Sequence, residues 1–119
     1  MPREVKGIII HPGSTFEHKV FKQLQDYQQV VDGLIEAVRL YDYTYENEVA
    51  TIYVNEEGRL IDLPMNAVAG GLSFLLNGED LLFGNAIVVG AGDGEGYDTD
   101  VPEWIVEFIK RVAKDITNV

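Results

Sequence analysis

The chain has 119 residues, no cysteine, and twenty acids against nine bases, for a formal net charge of -11. That length suits one globular domain, and the missing thiols exclude a disulfide framework, a thiolate zinc site and a cysteine nucleophile. So acidic a chain should repel nucleic acid and anionic membranes, which leaves small molecules or basic proteins as partners.

Met1-Pro2-Arg3-Glu4 leads into no apolar run of signal-peptide type, and the longest apolar stretches fall far short of a membrane span. A soluble, cytoplasmic protein is the expectation. Val5 to Ile10 reads as a buried strand closed by His11-Pro12-Gly13, and Thr15 to Val20 alternates as its hairpin partner. From Phe21 the apolar spacing turns helical through Leu24, Tyr27 and Val31, with Gly33 as a left-handed cap. Leu34 to Leu40 is a third strand. Tyr41, Tyr43 and Tyr45 follow at alternate positions among acids; if extended they share one side, covering a sheet edge or offering a partner-contact surface.

The clearest local signals lie between Val49 and Gly71. Val49 to Val54 is a β-branched and aromatic strand, Asn55-Glu56-Glu57-Gly58 carries turn chemistry, and Arg59-Leu60-Ile61 would be the return strand. Pro64 stops that strand, and Asn66 is placed to cap a helix from Ala67 to Leu76. A turn at Asn77-Gly78-Glu79-Asp80, a short apolar piece Asp80 to Phe83, and the strand Ala86 to Val89 come next. A glycine-rich acidic loop, Gly90 to Asp100, leads to a closing helix capped by Asp100 or Thr99, in which Glu107 is spaced to pair with Arg111. The order predicts an α+β domain: a mostly antiparallel sheet of about five to six strands with three helices packed largely on one face.

The segments Val54-Asn55-Glu56-Glu57-Gly58, Leu63-Pro64-Met65-Asn66, Gly84-Asn85-Ala86-Ile87-Val88-Val89-Gly90 and Asp98-Thr99-Asp100-Val101-Pro102 together resemble a family of small uncharacterised domains. Its members occur in bacteriophages and in actinobacterial or plasmid genomes. The resemblance runs from Gly7 to Pro102 and implies a setting in a mobile genetic element, hence a host-cell cytoplasm, but no activity. This chain lacks the basic residue that follows the asparagine in the family pattern, which argues against anion binding by that loop.

No catalytic, metal or cofactor constellation stands out. The glycine loop has neither the dinucleotide fingerprint nor a P-loop lysine, and its four acids would oppose a pyrophosphate. Asp93, Glu95, Asp98 and Asp100 offer hard oxygen ligands at a spacing unlike an EF-hand, so a mobile loop with weak calcium binding at most is expected. His11 and His18 flank a turn but are too few for a zinc site. Between Leu60 and Ile109 there is no Lys or Arg, so the acidic half either keeps the protein soluble or mimics DNA towards a basic host protein.

The best candidate site is a convergence of three polar loops, contributing Asn55, Glu56 and Gly58; Asn66; and Tyr97, Asp98, Thr99 and Asp100. Two helix N-termini beside amides and a hydroxyl would make a pocket for a small polar or nucleotide-like ligand. A non-catalytic accessory binding protein is therefore the leading expectation, and an acidic inhibitor or DNA mimic the alternative. Trp104 and the tyrosine run could serve a homodimer as readily as a core.

Overall fold

A computed structural model describes residues 4–78 and 81–117. Among them five strands form one wholly antiparallel sheet: β1 (Val5–Ile10), β2 (Phe16–Phe21), β3 (Ile35–Tyr41), β4 (Glu48–Asn55) and β5 (Ala86–Gly90), in the order β2-β1-β5-β4-β3. Three helices accompany it: α1 (Leu24–Val31), α2 (Ala67–Leu75) and α3 (Glu103–Thr117). The expected α+β class, antiparallel sheet and three helices are all present. No helix among the described residues is long and apolar enough to cross a membrane.

Strand alternation sends side chains to two cores. Ile8, Ile10, Val38, Leu40, Ala50, Ile52, Val54, Ala86 and Val88 face α2 and α3, where Leu72, Ile105 and Ile109 are wholly buried. Ile9, Phe21, Ile87 and Val89 face the other way, against Tyr27 and Val31 of α1. Two helices thus share one face, while α1 covers the opposite one. The central strands carry apolar side chains on both faces, which explains the unbroken runs at Ile8-Ile9-Ile10 and Ala86 to Val89.

Three local expectations fail for identifiable reasons. Arg59-Leu60-Ile61 is a chain of turns, with the Ile61 amide donating to the Glu57 carbonyl at 3.0 Å and Leu63 to Gly58 at 2.9 Å. A return strand would need a free edge of β4, but β3 and β5 occupy both; Leu60 is left 83% exposed. Phe21 does not open a helix: it pairs with Val5 as the last residue of β2, and α1 begins at Leu24 after Asp26 reaches back to accept from the Lys22 and Gln23 amides at 2.7 and 3.2 Å. Asp32, not Gly33, takes the left-handed position that ends α1, at φ 59°. Gly33 serves close packing, since a Cβ there would press on the Asn55 side-chain amide.

The tyrosine run is not extended either. Residues 42–47 fold into a closed turn in which Asp42 accepts from the amide and hydroxyl of Thr44 and from the Asn47 side chain. Those donors, Thr44 foremost, hold the Asp42 carboxyl down to about 2. Tyr41 remains in β3, whereas Tyr43 and Tyr45 point to solvent from the turn, Tyr43 90% exposed. Of the turn expected at 77–80, Asn77 and Gly78 are described; Glu79 and Asp80 lie outside the described residues.

Candidate functional site

The three polar loops do not converge. β1 runs between them, with Asn66 at its end near Ile10 and Asp100 at its beginning near Lys6. Asn66 is 1% exposed; its oxygen accepts from the Ala69 amide, and its nitrogen donates to the Ile10 and Gly84 carbonyls at 2.9 Å each. It caps α2 as the sequence indicated, and every polar atom of its side chain is engaged. Asn55 is similarly spent: its nitrogen donates to the Val31 and Asp32 carbonyls, and its oxygen accepts from Glu57. Glu56 and Gly58 stay in that turn, the Glu56 amide donating to the Leu34 carbonyl and the Gly58 amide to Asn55.

At the other end, Thr99 and Asp100 do not cap α3. The chain from Thr99 to Val101 wedges between β1 and β5: Gly90 donates to the Thr99 carbonyl, and Val101 to the Lys6 carbonyl, both at 2.9 Å. Asp100 accepts from the Lys6 amide at 2.8 Å, and the Thr99 hydroxyl donates to the Ala91 carbonyl. The first turn of α3 instead closes on the Pro102 carbonyl, which accepts from Ile105 and Val106. Farther along α3, Glu107 pairs with Lys110 at 3.1 Å rather than with Arg111.

Pinning the wedge places the preceding residues over the α1 face of the sheet. There Asp98 meets two tyrosines distant in sequence. Tyr53 donates its hydroxyl proton to Asp98 Oδ1 at 2.7 Å, and Tyr27 donates to Oδ2 at 3.2 Å. Tyr27 stacks on Phe21 with ring centroids 4.5 Å apart, and Tyr53 meets its edge at 5.3 Å. These side chains bound a hollow of about 300 Å³. Val5 and Tyr27 are its buried floor, Ile35, Tyr53 and Asp98 its half-buried inner wall, and Lys22, Gln23, Leu24, Gly96 and Tyr97 its exposed rim. The exposure of Leu24, anomalous for an amphipathic helix, follows from its place on that rim.

Tyr97 and Asp98 therefore line this hollow; Thr99 and Asp100 anchor the segment that carries them, whereas Asn55, Glu56, Gly58 and Asn66 do not line it. Tyr27 and Tyr53 were missed, because each reads as an ordinary core aromatic in its own element. Only a polar tip at an otherwise apolar position hinted at a buried partner. A larger concavity of about 640 Å³ follows the outer side of α3 past Trp104 and Phe108, but it is a shelf along one helix. Among the described residues no cluster of three or more acids and histidines is placed to hold a metal ion. His11 contacts Asn85 and Glu17, at 3.0 and 2.8 Å, while His18 projects from the opposite face of β2 to Glu17.

Burial raises the pKa of both Tyr27 and Tyr53 well above the ordinary phenol value, and the Asp98 carboxylate that their protons face raises it further. In an alkaline absorbance titration these two should ionise late, well above the ordinary phenol value of 10.0. The sign for stability follows: the unfolded chain loses those protons near pH 10.0 and the folded chain does not, so stability should fall as pH rises above that value. Ionisation of Tyr27 and Tyr53 near 10.0 without unfolding would contradict the geometry.

A family model described as a domain of unknown function, DUF3846, matches residues 5–114. No match is found among curated proteins or among solved structures.

Proposed function

We propose, from the premise that this chain belongs to the DUF3846 family, that it is a non-catalytic binding protein for a small polar, nucleotide-like ligand held in the Tyr27–Tyr53–Asp98 hollow. The observation that carries this reading is a half-buried carboxylate whose two oxygens each accept a tyrosine proton at the inner wall of a cavity of about 300 Å³. That volume accommodates a nucleobase or a molecule of similar size. Aromatic and aliphatic walls suit a flat ring, and a few convergent polar atoms fix its orientation, the usual balance in small-molecule sites. Lys22 on the rim supplies a cation for an anionic tail. It is only loosely engaged, 3.8 Å from Glu4 with both side chains exposed.

A binding role is favoured over catalysis because phenols whose pKa is pushed upward are poor proton donors and acceptors near neutrality. An accessory protein of a phage or other mobile element, sequestering a small host molecule in the cytoplasm, is the setting we assign to it. The test is a two-dimensional amide spectrum of isotope-labelled protein titrated with nucleoside monophosphates. Shifts confined to Leu24, Tyr27, Tyr53, Tyr97 and Asp98 are expected for at least one of them. Spectra unmoved by the whole panel at millimolar concentration would overturn a nucleotide as the ligand.

A further inference from the structure

We infer that the hollow selects a ligand that presents a guanidine-type N–H edge inward and an anionic group outward. The inference rests on the ligand-binding reading above and narrows it. It comes from counting protons on the inner wall. A tyrosine hydroxyl has one proton to donate, and both are committed to Asp98, Tyr53 to one oxygen and Tyr27 to the other. An ionised carboxylate is an acceptor only, with about four lone-pair sites on its two oxygens. What this trio can offer a ligand is therefore lone pairs: the remaining ones on both Asp98 oxygens and those on the phenol oxygens.

A ligand edge made of acceptors would face like against like, whereas an edge with two parallel N–H groups matches a carboxylate in fork-to-fork geometry. A single ammonium would satisfy the charge but has no flat face to set against the aromatic side chains, Tyr27, Tyr53 and Tyr97, that line the hollow. A guanidine group is flat and carries the paired donors. The net charge of -11 favours a cationic or donor-rich inner end, while Lys22 on the rim favours an anion at the outer end. Two sources carry both features: a guanine nucleotide, through its ring N–H and amino group, and an arginine-like amino acid.

The experiment is isothermal titration of the unmodified protein with two matched pairs. Guanosine monophosphate is compared with inosine monophosphate, which lacks the amino group; arginine is compared with citrulline, which replaces the guanidinium with a urea. One member carrying the guanidine edge should bind roughly tenfold or more tightly than its counterpart, the discrimination a good bidentate pair gives. The pair that shows it identifies the source. Asp98→Asn should abolish that preference, and the amide spectrum of the variant shows whether it is folded. Equal affinity within both pairs, or binding of adenosine monophosphate alone, with shifts mapped to the hollow, would overturn this inference and leave the ligand site standing. Silence from every compound in both titration and spectrum would overturn the site as well.

Discussion

Replacing Asn66 with alanine is expected to destabilise the protein by about 3 kcal/mol, from about 1 for the lost helix cap and about 1 for each of the two lost donated bonds. The side chain ties three elements at one buried point: the Ala69 amide in the first turn of α2, the Ile10 carbonyl ending β1, and the Gly84 carbonyl just before β5. Its backbone amide adds a fourth tie, to the Leu82 carbonyl at 2.7 Å. Asn66→Ser should recover only the capping share. Asn66→Asp keeps the acceptor for Ala69 but loses both donors and sets a buried charge beside two carbonyls, so it should be at least as damaging as alanine. Urea unfolding of the three variants checks the order. Near-native stability of the serine or aspartate protein would mean that Asn66 is a cap and nothing more.

The contrast between Asn66 and Asp98 shows where sequence reasoning runs out. The capping role of Asn66 is written locally, in a proline two residues before it and helix formers after it. Its two donated bonds are not, because they reach 56 and 18 residues away. The strands were legible wherever alternation or a continuous apolar run met a turn, as at His11-Pro12-Gly13. They failed where the missing information was which edges were already taken. Arg59-Leu60-Ile61 has the composition of a strand, and only the placement of β3 and β5 on both sides of β4 denies it one. Phe21 satisfies a helical period and a strand period alike. What decides it is its pairing with Val5, with the backward reach of the Asp26 carboxylate delaying α1.

The site was half legible for the same reason. Tyr97 and Asp98 attracted attention because a polar loop before a helix is a common place for ligands. Their partners come from a helix 71 residues and a strand 45 residues before Asp98, and no spacing rule links such positions. The expectation that Thr99 and Asp100 cap α3 failed because the sheet claims both first. The gap between β1 and β5 beyond Ile8 and Val88 leaves Lys6 and Gly90 with unpaired backbone groups, and the entering chain satisfies them. The geometry of the hollow thus depends on a structural insertion: the loop is held in register at its base, so that a carboxylate near its end meets two phenols.

Gly90→Ala tests that dependence, and its effect should be about 2 kcal/mol of stability, within the range for forcing an extra methyl group into a packed interior, together with loss of the site. Gly90 is buried, and a Cβ on it would fall on the Thr99 hydroxyl and on the Asp100 carbonyl. The carbonyl is backbone, so no rotamer change can relieve the collision. The inserted segment must move, loosening the bonds from Gly90 to Thr99 and from Val101 to Lys6. Asp98 then loses its position against Tyr27 and Tyr53. The alkaline titration reports this directly, because the two delayed tyrosines should ionise nearer the ordinary value of 10.0. Gly92→Ala is the control from the same loop: a Cβ there meets only the Tyr97 carbonyl, at 3.9 Å, an ordinary contact. It should leave stability and titration unchanged. If Gly90→Ala lowered stability but left both tyrosines late to ionise, the wedge would be a structural element separable from the site. If both changed together, the close approach at Gly90 would be what fixes the carboxylate in the hollow.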